Sequence, residues 1–344
     1  MPDFPYINAR VRAMKSRLLD AARIDELLAL PSLDALIQAL ANSPYGREMQ
    51  EALTRYTGLR AVDAALAQNF YRTTTKILSF ADGKAKTLIE LVLLRWDLAN
   101  VRVLLRGKHF GVQDAQIEEN LLPAGALSEA ALKELLAAKD VPEVVGGLAA
   151  QGHPFAPSLA EALKIYQAAK EELFPLELAL DRYYGTSGLT LVAGRGHNEQ
   201  VVRGLLEADI DATNVKTALK LQQAGTLSHK EKLRHFVTGG RTVTEDYFLA
   251  LSDPASMERG VRALGAAGFP VKGIGAPPTE FERQLDVTIN RAQRALYLND
   301  PLGIDIVIAY VAMKYNEVVN LRLVARSKAL GISRDRVRKE MVGV

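Results

Sequence analysis

Asp97-Leu-Ala-Asn100-Val-Arg102-Val-Leu-Leu-Arg106 is the stretch that decides the fold, because it returns twice. The second copy is Asp211-Ala-Thr-Asn214-Val-Lys216-Thr-Ala-Leu-Lys220, and the third is Glu317-Val-Val-Asn320-Leu-Arg322-Leu-Val-Ala-Arg326. The shared form is acid-x-x-Asn-aliphatic-basic-x-x-x-basic. The asparagines at 100, 214 and 320 stand 114 and 106 residues apart. Around the first copy, Leu91, Leu94, Leu98, Val101 and Leu105 recur at three and four residues, the spacing of one helix face. The motif therefore sits on helices.

Two further markers follow the same period. Leu148-Ala-Ala-Gln-Gly152-His-Pro154 is echoed by Leu264-Gly-Ala-Ala-Gly268-Phe-Pro270, with Leu40-Ala-Asn-Ser-Pro44-Tyr45 as a weaker first copy. Gly111-Val-Gln-Asp-Ala-Gln-Ile117 is echoed by Gly331-Ile-Ser-Arg-Asp-Arg-Val337. Three diverged copies of about 110 residues account for the chain, too long a period for a solenoid unit. We expect three small helical domains, at 1–115, 116–230 and 231–344.

The rest of the chain reads as all-α. Ser158 with Glu161 and Ser228 with Glu231 fit capping boxes. Asp253-Pro254 and Asp300-Pro301 fit an N-cap followed by proline at the first helical position. Gly111 and Gly331 mark helix stops after basic turns. Asp82 to about His109 predicts one helix of roughly 40 Å at 1.5 Å per residue, and Asp300 to Leu330 another. Gly and Pro cluster at 142–157 and 265–278, the expected corners or linkers. Val237 to Thr244 is the only strand-like stretch, and Gly239-Gly240 interrupts it.

Composition narrows the function. The chain has 344 residues, 43 Lys+Arg, 40 Asp+Glu and no Cys, with 48% hydrophobic residues. Disulfides, thiolate metal sites, iron–sulfur clusters and cysteine nucleophiles are ruled out. A net charge of +3 is too weak to argue a nucleic-acid partner. The longest uncharged stretch, Val144 to Ala160, is too short and polar to span a membrane. The N-terminus lacks a secretory pattern, so a cytosolic protein is expected, one able to sit on a membrane complex.

No catalytic constellation emerges. There is no Walker A sequence, and Gly194-Arg-Gly196 lacks a preceding strand. His109, His153, His197, His229 and His235 are not spaced as metal ligands and read as surface or loop residues. Glu118 and Glu119 are adjacent, and adjacent helical side chains diverge by about 100°, which suits acid–base work poorly. No cofactor is expected. Trp96 reads as a packing anchor. Within the motif, Asp97, Asn100, Asp211, Asn214, Glu317 and Asn320 suit structural bridges to neighbouring elements. The basic pairs Arg102 and Arg106, Lys216 and Lys220, and Arg322 and Arg326 each share one helix face. They read either as a solvated stripe or as related faces on which a partner docks. The basic residues of the C-terminal stretch, with Arg10, Arg12, Lys15 and Arg17, read either as solvated charge or as contacts to an acidic partner or lipid headgroups.

Several of these blocks resemble one family. Phe4-Pro-Tyr-Ile-Asn-Ala-Arg-Val-Arg12 is similar to the opening of the C subunit of the V/A-type ATPase central stalk, the counterpart of the eukaryotic d subunit. Leu93 to Arg102 with Leu105-Arg-Gly-Lys108, Asp211 to Gln222, and Asp300-Pro-Leu-Gly303 through Arg326 resemble its successive signatures, in family order across the chain. The resemblance implies an all-α funnel of three similar domains about a pseudo-threefold axis. It implies a non-catalytic protein, one copy per complex, peripheral to the cytoplasmic face of the membrane. Its implied partners are the central shaft subunits and the proteolipid rotor ring. It would couple ATP hydrolysis or synthesis to proton or sodium translocation. On this reading Arg102, Lys216 and Arg322 are expected near the funnel axis. A helical adaptor for soluble partners is the alternative, followed by an all-α enzyme and a nucleic-acid scaffold.

Overall fold

The computed structural model describes residues 4–168, 172–223, 227–266 and 278–342. Among them there are helices and no strand. The chain divides into two compact units, Met1–His153 with Arg294–Val344, and Pro154–Gln293.

Unit one begins with α1 (Phe4–Lys15), α2 (Ala21–Ala29), α3 (Leu33–Ala41), α4 (Gly46–Leu53), α5 (Gly58–Leu78) and α6 (Gly83–His109). It continues through α7 (Asp114–Glu118), α8 (Glu129–Leu136) and α9 (Val141–Ala150). Unit two holds α10 (Ala156–Ala168), α11 (Phe174–Leu191), α12 (His197–Gln223), α13 (His229–Leu233), α14 (Glu245–Leu251), α15 (Met257–Ala266) and α16 (Pro278–Ala295). The chain then returns to unit one through a 3₁₀ turn at Leu296–Leu298, α17 (Asp305–Leu330) and α18 (Arg334–Glu340).

The core of unit one forms where α17 packs on α5. Val307, Val311, Val318, Leu321 and Val324 of α17 are all buried there. Trp96 anchors this packing: its ring centroid lies 5.4 Å from Phe70 of α5 and 5.9 Å from Tyr315 of α17. Aromatic rings at such distances favour tilted arrangements, as these are. Unit two has its own core, with Val215 and Ala218 of α12 against Phe248, Leu251, Leu264, Phe281 and Leu285.

The helix boundaries follow local chemistry, with three corrections. Ser228 and Glu231 form the expected capping box, each side chain bonding the other's backbone N–H. Gly111 (φ +62°) and Gly331 (φ +67°) end α6 and α17 in the left-handed conformation that glycine tolerates. Val112 N donates to Gly107 O at 2.9 Å and Ile332 N to Ser327 O at 3.0 Å, closing the same stop motif twice. Ser158, however, lies inside α10, which starts at Ala156 because Pro157 suits a first turn. Asp300 and Asp253 cap turns rather than helices. Asp300 Oδ1 accepts from Leu302 N at 2.8 Å, and Asp253 Oδ1 from Ala255 N at 3.1 Å. The following helices start later, at Asp305 and Met257. The expected corner at 265–278 and the echo ending at Pro270 fall largely outside the described residues.

Candidate functional site

The repeated motif is a clamp on the backbone. Asn100 Nδ2 donates to Leu122 O at 2.9 Å while its Oδ1 accepts from Leu122 N at 2.8 Å. Asn214 makes the same pair with Val237, at 2.8 and 2.9 Å. Asn320 makes it with Val342, at 2.9 and 3.0 Å. The partner lies 22, 23 and 22 residues beyond each asparagine. A carboxamide presents an N–H donor and a C=O acceptor side by side in one plane, which matches the N–H and C=O of one residue. The loop following each motif helix is thereby tied back to that helix, and its buried backbone groups are satisfied.

The motif acids act one turn earlier on the same loops. Asp97 accepts from Ala126 N at 2.7 Å and Leu127 N at 3.1 Å. Asp211 accepts from the N–H groups of Arg241, Thr242 and Val243 at 2.8–3.1 Å. Each buried carboxylate thereby has backbone N–H donors for its oxygens. Both loops approach closely enough to require glycine: a Cβ at Gly125 would collide with the Asp97 carboxylate, and one at Gly240 with that of Asp211. The strand-like Val237–Thr244 stretch is therefore the loop that Asn214 and Asp211 hold. Sequence reasoning missed Leu122, Gly125 and Gly240. The available signal was a glycine 28 or 29 residues after each motif aspartate.

The third acid differs. Glu317 accepts from Tyr45 Oη at 2.5 Å, from Lys314 Nζ at 2.7 Å and from Leu19 N. This buried cluster joins α17 to the segments before α2 and α4. Burial pulls the Lys314 ammonium below its ordinary pKa, against the opposing charge of Glu317. Burial also pushes the Tyr45 hydroxyl up, and Glu317 adds to that shift. Tyr45 belongs to the Leu40–Tyr45 marker. His153 belongs to the Leu148–Pro154 marker, and its Nε2 lies 3.7 Å from Asp97 Oδ2. His153 lies in the loop between α9 and α10, as one of the two readings expected, but it is buried there rather than on the surface. The acid of the first copy meets the marker of the second, and the acid of the third meets the marker of the first.

The basic positions sit beside this clamp, most of them paired within the fold. Lys216 Nζ lies 2.6 Å from Asp286, and Lys220 Nζ 2.9 Å from Glu282. Arg322 Nε lies 3.3 Å from Asp63 Oδ1, and Arg326 Nη2 3.8 Å from Asp63 Oδ2. Burial raises the Asp63 carboxyl although both arginines pull it down. Arg102 is half-buried and Arg106 exposed. Asp63 and Arg322 line a cavity of about 400 Å³ in unit one, whose wall mixes cations such as Arg60 and Arg72 with glutamates such as Glu48 and Glu118 and with alanine and leucine side chains. Two C-terminal cations pair with the fold at its surface: Arg334 Nη2 donates to Ala29 O at 2.5 Å, and Arg338 Nη2 lies 2.7 Å from Asp25 Oδ1. Glu118 is an ion-pair partner, 2.6 Å from Arg60 Nη2.

The profile of the ATP synthase (C/AC39) subunit family matches residues 7–340. The chain belongs to this family. It is 31% identical to the C subunit of the V-type ATP synthase of Deinococcus radiodurans, covering 99% of this chain and 92% of that one. It is 32% identical to the C subunit of the V-type ATP synthase of Thermus thermophilus, covering 99% and 98%. The C subunit of the A-type ATP synthase of Haloferax volcanii is 30% identical, covering 98% and 97%. The C/AC39 protein is a structural, non-catalytic part of a rotary ATPase complex. Among the described residues no helix is long and apolar enough to cross a membrane.

Proposed function

We propose that this member of the C/AC39 family is the central-stalk socket that joins the rotary shaft to the proteolipid ring. One copy per complex, on the cytoplasmic face, passes rotation between ATP hydrolysis or synthesis and proton or sodium movement. The observation that carries the reading is the asparagine clamp, repeated on three helices of 26–27 residues. A torque coupling needs a stiff body and broad contact rather than a reactive centre. Each clamp fixes the loop after a long helix by two hydrogen bonds, so that helix and loop move as one piece. The recurrence of the clamp also supports three copies, at 1–115, 116–230 and 231–344, beneath the two compact units.

The basic positions Arg102, Arg106, Lys216, Lys220, Arg322 and Arg326 are the proposed contacts to the stalk partners. Arg106 and Lys220 are the exposed members, so a partner would meet them first. Lys216, Arg322 and Arg326 would serve by holding the motif helices on their carboxylate neighbours. Reversible docking through several modest, partly exposed charges favours orientation and fast association over raw affinity. A tagged chain recovered from solubilised native membranes and weighed by native mass spectrometry tests this. One copy together with a proteolipid ring and shaft subunits is expected. Recovery of soluble partners alone, in several mild detergents, would replace the socket with an adaptor.

A further inference from the structure

One end of unit one gathers cations and exposed apolar side chains on three segments. α1 holds them together. Asn8 Nδ2 donates to Pro301 O at 3.0 Å and Gly303 O at 2.8 Å, fixing the turn before α17. The Arg10 guanidinium stands 4.8 Å from the ring centroid of Phe80, at the turn between α5 and α6, and 5.8 Å from that of Tyr6. Lys15 Nζ stands 4.7 Å from the ring centroid of Tyr297. Leu298 is 88% exposed, Leu302 60% and Tyr6 48%.

A lone exposed leucine is ordinary on a soluble surface. Here two leucines and a tyrosine protrude among cations held over aromatic rings. The cations of this end are Arg10, Arg12, Lys15, Lys76, Lys84 and Lys86. The anions facing them are Asp82, Asp300 and Glu90, the last 3.8 Å from Lys86. Six charges against three leave the end positive. Basic side chains, tyrosine and protruding leucine together suit the boundary between lipid headgroups and acyl chains. Leu298 and Leu302 project from tight turns, a form that enters a fluid interface without a matching pocket. A folded acidic protein would need such a pocket.

We infer that this end of unit one docks on anionic phospholipid headgroups, with Leu298 and Leu302 entering the interface and Arg12 and Lys76 facing lipid phosphates. The inference deepens the membrane-peripheral part of the proposed function and rests on it for its setting. Its test is separate, because vesicle binding is read on the isolated full chain and partner capture on native membranes. Either can fail while the other stands.

The test is co-sedimentation with phosphatidylcholine vesicles made with and without phosphatidylglycerol. Anionic vesicles bind at least about tenfold more strongly, and added salt weakens the binding. Arg12→Gln with Lys76→Gln lowers binding about 25-fold, from about fivefold per cation. Leu298→Ser with Leu302→Ser lowers it by on the order of tenfold or more. Lys339→Gln, beyond the far end of α17, leaves it unchanged. All these positions are exposed, and an unchanged circular-dichroism melt confirms folding. Equal binding to both vesicle types, binding to neither, or wild-type binding by both double variants would overturn the inference. So would salt-sensitive capture of an acidic protein with no lipid binding.

Discussion

Asn100 illustrates how far a single side chain reaches. Its two hydrogen bonds to Leu122 are buried, so Asn100→Ala strands a backbone N–H and a C=O inside the protein. Each stranded group costs about 1–3 kcal/mol, and we expect a loss of about 2–4 kcal/mol in urea unfolding. Asn100→Asp does no better, because its second oxygen faces the Leu122 carbonyl. The Asn320 pair is only part-buried, and Asn320→Ala costs about 1 kcal/mol. Equal costs at the two positions would refute the burial argument. His235 gives the pH counterpart in unit two. Its ring centroid lies 3.8 Å from that of Phe174, and burial lowers its pKa below the ordinary 6.5. A depressed folded pKa makes the unfolded chain bind more protons, so this contribution is complete above pH 6.5 and is lost as pH falls through the folded value. The slope reaches at most about 1.4 kcal/mol per pH unit, and His235→Gln removes it from thermal melts taken down this range.

At the scale of elements, α17 shows what a sequence period conceals. Its mean pattern is apolar nearly all round, and it is accordingly buried along most of its length. The motif glutamate was legible as a structural bridge. Its partners Tyr45 and Leu19 were not, since they stand 272 and 298 residues away. Lys314 shares the cluster with its Nζ 4.1 Å from the Tyr45 ring centroid. Lys314→Met removes the cation and leaves a buried carboxylate short of a partner, at a cost of about 3–5 kcal/mol. Adding Glu317→Gln, which still accepts from Leu19 N and Tyr45, recovers part of that loss. A thermal melt of the pair against each single variant measures the coupling, and strictly additive losses would show that the cluster is not a unit.

For the whole molecule, the division into units changes how the chain can be cut. Unit one is built from residues on both sides of unit two, and its core needs α17. A chain ending at residue 293 therefore loses the partner of α5 and the Tyr315 ring against Trp96. We expect it to lose near-ultraviolet tryptophan ellipticity and to show red-shifted Trp96 emission, while the Phe248 core of unit two keeps its own unfolding transition. Native-like Trp96 signals in that truncated chain would mean that α17 is dispensable.

The sequence by itself determined the all-α class, a long helix over 83–109 and another ending at Leu330, the glycine stops and the recurring acid–asparagine–basic motif. These depend on spacings within about one to seven turns of a helix, where chain geometry leaves few choices. It did not determine what the motif holds. Asn100 and Asn214 satisfy backbone groups some 22 residues on, in loops whose own side chains carry little pattern. Asp63 joins Arg322 and Arg326 across 259 and 263 residues. Such pairings arise only when helices pack and exclude water, because then every buried N–H, C=O and charge must find a partner nearby in space. The same packing buried the loop histidine His153 beside Asp97. It also gathered cations and leucines from the first ninety residues and the last fifty onto one end of unit one.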